Sequence, residues 1–430
     1  MKTVALVPAL ALLLSACERP PAASAAAPAT PPVASRVYAR QDWPLPSAAI
    51  AAQPDLVATP DGHVLLAWIE PQAGGHALRF ARTDARGAWQ PSQTIAIGTT
   101  WFVNWADTPH IAATADGALW AHWLQKSAAA TYAYDVALVR SSDGGSSWSP
   151  PLLVNDDGTA TEHGFVSLWP ASRDTLGIAW LDGRNTQDEG SAGGASHARH
   201  ADQDGHAGAM SLRTATFDAG LERGGERELD AMTCDCCQTD AALTARGPLL
   251  VYRGRTPDEI RDIVAQRLDG AAAPGRIVHA DRWKMPACPV NGPAVAARGE
   301  EAVVAWYTAA NDVPTLKIAR SADAGATFAA PLVLDQGAQV QGRVDVALSA
   351  DAAWLLWMRE DANGQSVQLA RYAPDLSREL QRVEVAKLQG RGRATGFPQL
   401  ALSGDGAYVV WTDVVDGKPG LRGARYAASP

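Results

Sequence analysis

Positive charge is what this chain is short of. Its 430 residues carry 37 Lys and Arg against 46 Asp and Glu, a formal net charge of −9. A surface that binds nucleic-acid phosphates is basic, so that class of partner is excluded. Charged residues of either sign are few, at 19%. The apolar stretch near the N-terminus, Val4 to Leu14, is too short for a stable bilayer span. Cysteine is limited to five residues, which makes their clustering informative. What is abundant is tryptophan, at 15 residues. Six of them occupy one recurring position, so packing between sheets explains them better than a carbohydrate-stacking surface.

That position ends a short apolar run. The runs are His63–Trp68, Leu119–Trp123, Leu176–Trp180, Leu249–Tyr252, Ala302–Trp306, Trp354–Trp357 and Tyr408–Trp411. The terminal aromatics recur at a nearly even interval, with one longer gap between Trp180 and Tyr252. A period of roughly 50 to 60 residues held over a whole chain is the mark of a repeat architecture. Each run follows another apolar segment and an Asp-Gly turn such as Pro60-Asp-Gly62, and precedes strands ending near an Arg such as Arg82 or Arg140. The runs are continuously apolar, as strands covered on both faces should be. Four-stranded meanders repeated at this period predict an all-β propeller of seven blades. The last repeat stops after three strands, so Arg36–Ala39 is expected to supply the closing strand.

The N-terminus reads as a targeting segment: a basic start at Met1-Lys2, the apolar core, then Leu14-Ser-Ala-Cys17. The last four residues resemble a bacterial lipobox. The resemblance implies a signal peptide over 1–17, cleavage before Cys17, lipidation of its thiol, and a place in the cell envelope, facing the periplasm from the outer membrane. Residues 18–35 are nearly all Ala, Pro and Ser, a tether that cannot build a core. The folded domain is placed at 36–430, and the chain is expected to be a monomer.

Two turns carry a sharper signal. Ser141-Ser-Asp143-Gly-Gly145-Ser-Ser-Trp148 and Ser321-Ala-Asp323-Ala-Gly325-Ala-Thr-Phe328 both fit Ser-x-Asp-x-Gly-x-x-aromatic. This resembles the Asp-box of the sialidase-like (BNR-repeat) propellers. Thr83–Trp89 looks like a slightly shorter relative. In such a turn the Asp caps, the Gly takes φ > 0 and the aromatic packs beneath. Sialidases of that family have six blades, which is the alternative count. The resemblance implies an exo-glycosidase acting on an acidic glycan, with an Arg triad for a carboxylate, a Tyr–Glu nucleophile and an Asp acid/base. Arg184, Arg253 and Arg343 are candidates for the triad, Tyr132, Tyr134 or Tyr307 with Glu162 or Glu259 for the pair, and Asp107 for the acid.

In a propeller, the loops leading into strand one and out of strand two open on one face. The positions about 13 to 18 places before each repeat aromatic should therefore meet. Cysteines are the densest cluster there. Thr233-Cys234-Asp-Cys236-Cys237-Gln238 leads into the fourth repeat and Ala287-Cys288-Pro-Val-Asn-Gly292 into the fifth. Soft sulfur ligands from adjacent loops suit copper(I) or zinc, with His110 or His163 completing the sphere. With Cys17 lipidated, four cysteines remain in an exported chain, so disulfides stand as the competing assignment. A binding protein for a soft metal or a glycan, using this mouth, accounts for the residues without a catalytic constellation. The loop bearing His197, His200 and His206 is a second metal candidate or a polar insert.

Overall fold

The computed structural model describes Met1 and residues 36–186, 208–268, 270 and 274–429. The signal segment with Cys17, the tether and the His197/His200/His206 loop lie outside the described residues. Residues 36–430 form one compact unit.

That unit is a ring of seven antiparallel four-stranded sheets. The ring begins with a lone strand, β1 (Tyr38–Asp42), from the N-terminal end. Blade one holds β2 (Ala52–Ala58), β3 (Val64–Gln72), β4 (Gly75–Arg82) and β5 (Gln93–Gly98). Blade two holds β6 (Ile111–Ala113), β7 (Leu119–Lys126), β8 (Tyr134–Ser141) and β9 (Leu152–Leu153). Blade three holds β10 (His163–Pro170), β11 (Leu176–Asp182), β12 (Ser211–Phe217) and β13 (Arg223–Asp230). Blade four holds β14 (Asp240–Thr244), β15 (Gly247–Arg253), β16 (Ile263–Arg267) and β17 (Arg276–Ile277). Blade five holds β18 (Ala294–Arg298), β19 (Glu301–Thr308), β20 (Thr315–Ser321) and β21 (Leu332–Gln336). Blade six holds β22 (Val340–Leu348), β23 (Ala353–Asp361), β24 (Gly364–Tyr372) and β25 (Glu379–Lys387). Blade seven holds β26 (Gln399–Ser403), β27 (Gly406–Val415) and β28 (Lys418–Ala428), with β1 as its outermost strand. The closing strand thus pairs Tyr38 with Ala428 and Asp42 with Ala424, a little later in the chain than Arg36–Ala39. Seven blades, not six, complete the circle, because each inner strand touches the next all the way round from β2 to β26 and back.

The core lies between the blades rather than within them. Leu65, Ala67 and Ile69 of β3 pack on blade two, while Val64, Leu66 and Trp68 of the same strand pack on blade seven. Six further strands divide their side chains between two neighbours in the same way, giving seven apolar seams. This is why the repeat runs are continuously apolar: both faces of strand two are covered. The terminal aromatics Trp68, Trp180, Trp306 and Trp357 are fully buried, and their indole N–H groups donate to Glu70, Asp182, Asp281 and Asp335. A buried indole needs such an acceptor.

The two Ser-x-Asp-x-Gly turns serve the same seams. Asp143 accepts from the Ser147 N–H and Asp323 from the Thr327 N–H, at 2.9 and 2.8 Å. Gly145, at φ +92°, lies so close to Phe80 of blade one that a Cβ would stand 2.2 Å from its ring. Trp148 meets the same Phe80 edge to face.

Polar side chains on the inner strands and just before them lock each blade to the next. Asp55 accepts from the Ile111 N–H, Asp107 from Phe165, Asp240 from Val295 and Asp345 from Leu400, at 2.6 to 2.7 Å. Asn291 accepts from Arg343 at 2.8 Å, and Thr239 donates to the Phe165 carbonyl at 2.9 Å. Ser403 closes the ring by donating to the Gly62 carbonyl. Burial pushes three of these carboxyls up, Asp107 to about 7, Asp240 to about 6 and Asp345 to about 8.

A carboxyl whose pKa folding raises stabilises the fold below its unfolded pKa and loses that contribution as pH climbs through the folded value. The thermal midpoint should therefore fall between about pH 5 and pH 9. Asp345→Asn keeps an oxygen for the Leu400 N–H and should flatten that fall in differential scanning calorimetry. A midpoint that rises with pH across the window, or a variant profile as steep as the wild type, contradicts the assignment.

Candidate soft-metal centre at the axial mouth

The loops leading into the inner strands converge on one apolar plug. Ala106 before β6, Phe165 in β10, and Cys234, Cys236 and Cys237 before β14 share a cluster with Trp105, Val290 and Phe397. Bulges in β2, β10 and β22 put Gln53, Phe165 and Arg343 at φ near +50°, a conformation non-glycine residues adopt only under constraint. For two of the three the constraint is visible: the Phe165 and Arg343 N–H groups are the ones held by Asp107 and Asn291.

The cysteine segment is fastened at both ends. The Thr233 N–H donates to the Met210 carbonyl and the Cys234 N–H to the Arg253 carbonyl. Gln238 donates to the Ala106 carbonyl at 2.8 Å and accepts from the Gly292 N–H at 3.0 Å. A Cβ on Gly292 would lie 2.2 Å from the Gln238 carbonyl oxygen, so only glycine lets the Cys288 loop come this close.

The three buried sulfurs lie within 4.8 Å of one another. Cys234 Sγ is 4.0 Å from Cys236 Sγ and 3.0 Å from Cys237 Sγ. A metal with four thiolates at about 2.3 Å spaces its sulfurs by about 3.8 Å, and a disulfide brings them to about 2.05 Å. The first separation is close to the metal spacing, and the second lies between the two. Cys288 is exposed and its thiol hydrogen-bonds to Cys236. All four sulfurs that the sequence singles out therefore gather at one place.

Their acidities are driven apart. Burial pushes Cys234 up to about 12. Hydrogen bonds with Cys234, Cys237 and Cys288 raise Cys236 well above the usual thiol range. Burial acts upward on Cys237 as well, but hydrogen bonds from Cys234 and Cys236, the Arg253 guanidinium and the Asn291 N–H hold it well below that range. Of the three buried thiols, Cys237 is the one whose surroundings favour the thiolate. Arg261 places a second positive charge beside Cys234.

The two histidines face other partners. His110 Nδ1 lies 3.0 Å from Asp55, and its ring is 5.4 Å from that of His122. Burial acts to lower its pKa, but Asp55, Asp107 and Asp240 together raise it. His163 faces Asp157 and Asp182 instead.

The three arginines do not meet. Arg184 donates to both carboxylate oxygens of Asp182. Arg253, buried over the Trp283 ring, gives its donors to the Asn291, Arg261 and Tyr307 carbonyls. Arg343, which burial lowers to about 10, donates to Thr395 and the Gly392 and Gly396 carbonyls and lies over Trp105. Tyr134 donates to Glu162 at 2.6 Å and to Asp107 at 3.1 Å, but it is wholly buried and burial raises its pKa far above the phenol range. Glu259 pairs with Arg255 and Arg261.

Trp105 precedes the repeat aromatic Trp123, and Phe397 precedes Trp411, both inside the window that defines the mouth. A search confined to ionisable groups and sulfur passes over them, although they form its apolar wall with rings 5.8 Å apart.

No protein-family model matches this chain, and no curated protein matches it in sequence. Solved structures do resemble it. A protein of unknown function from Dyadobacter fermentans DSM 18053 aligns at TM-score 0.50 and 13% identity, over 88% of this chain and 95% of that one. The polysaccharide lyase Uly1 aligns at TM-score 0.50 and 8% identity, over 89% and 91%. The α-L-arabinofuranosidase Arb93A of Fusarium graminearum aligns at TM-score 0.49 and 10% identity, over 91% and 98%. At these identities the likeness is one of fold.

The exposed Cys288 should react first. Iodoacetamide at neutral pH on reduced, folded protein should label Cys288 and spare Cys234 and Cys236 until denaturant is added, as read by peptide mass mapping. Equal labelling of all four in the folded state would contradict the geometry.

Proposed function

We propose that the protein is a lipid-anchored propeller of the bacterial envelope that binds a soft metal ion, copper(I) or zinc, through Cys234, Cys236, Cys237 and Cys288. The observation that carries this reading is the meeting of three buried sulfurs within 4.8 Å, with a fourth thiol on Cys236. Thiolates are soft donors that select copper(I) and zinc over magnesium or calcium. A metal bound by several thiolates keeps net negative charge, and the guanidiniums beside Cys237 and Cys234 offset it. Anchoring follows from the lipobox-like Leu14-Ser-Ala-Cys17.

A glycan ligand, with exo-glycosidase action as its catalytic form, is the second reading. Its support is the 2.6 Å Tyr134–Glu162 hydrogen bond, the turns that resemble the Asp-box and the propeller fold shared with the polysaccharide lyase Uly1. It needs an open Tyr–Glu pair and free guanidiniums. Here Tyr134 is buried, and Arg253 and Arg343 are engaged with main-chain carbonyls, so the sulfur mouth has the stronger argument.

Anaerobic titration with copper(I) against a chromophoric chelator tests it. Wild type should take up one equivalent per chain, and Cys236→Ser with Cys237→Ser should abolish uptake while the far-UV circular dichroism is kept. Protein purified with all four thiols paired as disulfides and no metal by mass spectrometry would sink the proposal.

A further inference from the structure

At the lip of blade three stand ligand-capable groups that the sulfur centre does not use. His163 opens β10 and Asp182 closes β11, and the two residues are paired across the sheet. Asp157 comes from the loop leading into that blade, its other oxygen held by the Thr159 N–H and hydroxyl. The His163 ring has no exposed surface and Asp182 has none either.

The imidazole is oriented by its far side. His163 Nδ1 lies 3.1 Å from the Tyr134 carbonyl oxygen, and a carbonyl only accepts, so Nδ1 carries the proton. With Asp135 Oδ1 3.4 Å from Nδ1 on that same side, the neutral form of the ring turns a lone pair at Nε2 toward two carboxylates, 3.0 Å from Asp157 Oδ2 and 3.7 Å from Asp182 Oδ1. Neither is aligned for a hydrogen bond, and Nε2 has no hydrogen-bond partner among the described residues. A buried lone pair facing two anions is repulsive, and a positive charge at their common point, a proton or a metal ion, reverses the sign. The three ligand atoms lie within 4.8 Å of one another. A histidine whose other ring nitrogen donates to a main-chain carbonyl is the usual metal-binding form.

We propose that His163, Asp157 and Asp182 bind a divalent cation of the zinc class at the lip of blade three, separately from the cysteines. One nitrogen and two carboxylate oxygens suit zinc, and cobalt(II) as its spectroscopic substitute, better than copper(I). Arg184 is the competitor. Its Nε and Nη2 each lie 2.7 Å from an Asp182 oxygen, and Nη2 is 3.2 Å from Glu226 and 3.5 Å from Asp157 Oδ2. A metal on Asp182 Oδ1 displaces Nε, and the guanidinium remains held by Asp182 Oδ2 and Glu226. Arg184 therefore weakens metal binding by occupying Asp182 and standing beside the Asp157 ligand oxygen.

Cobalt(II) titration of the full chain, read by absorption, tests this. The expected result is one equivalent with ligand-field bands but no thiolate charge-transfer band in Cys234→Ser/Cys236→Ser/Cys237→Ser, in addition to whatever the cysteines bind in the wild type. Asp157→Asn and His163→Gln should each weaken it by about tenfold or more. Arg184→Gln should tighten it several-fold, whereas a purely structural ion-pair network would gain no metal affinity from that change. Absence of the sulfur-free band from both wild type and Arg184→Gln overturns the proposal, as does a band that Asp157→Asn leaves unchanged. Should the buried His163→Gln variant fail to fold, the Asp157 and Arg184 variants decide. A wild type that shows the sulfur-free band and no thiolate charge-transfer band would count against the four-cysteine reading and leave this one standing.

Discussion

Everything in this molecule depends on each blade being covered on both faces by its neighbours. No blade has a core of its own, because its apolar residues are divided between two seams. A sheet in that position cannot be stable alone, so the ring must close. β1 meets that requirement by hydrogen-bonding to the last strand of the chain, and Tyr38 packs edge to face on Trp354 in the seam between blades six and seven.

The same constraint explains the buried acids. An inner strand has no room for a water shell, yet as the edge of its sheet it leaves N–H groups without sheet partners. Asp55, Asp107, Asp240 and Asp345 satisfy them one blade ahead. Desolvation is the cost, visible in the raised pKa values of three of them. Carboxyls that a chemical reading would assign to catalysis thus contribute to joining the blades, and Asp107 does so while also accepting from Tyr134.

Once closed, the ring brings loops from distant parts of the chain to one mouth. The Cys234–Cys237 segment and the Cys288 loop meet because they lead into adjacent blades, and Gly292 allows their backbones to touch. The arginines around them form an electrostatic frame. Arg253 is fastened by the Arg261 carbonyl of blade four and the Asn291 and Tyr307 carbonyls at blade five while its charge lowers the Cys237 pKa. A residue can therefore belong to the scaffold and to the chemistry at once.

The amino-acid sequence determined the blade number, the closing strand and the sulfur positions. Each is a matter of spacing, and spacing survives without coordinates: the interval from one repeat aromatic to the next is one blade whatever its loops do, even across the long gap from Trp180 to Tyr252. Which partner a polar side chain takes was decided only by the tertiary structure. His110 and His163 both precede or open inner strands, as the cysteines do, yet one turns to Asp55 and the other to Asp157 and Asp182. Asp157 stands too far ahead of Trp180 to fall in any window the repeat defines. The physical reason is that the repeat fixes where a backbone enters the ring, while the direction of each side chain depends on bulges, left-handed residues and the neighbouring blade.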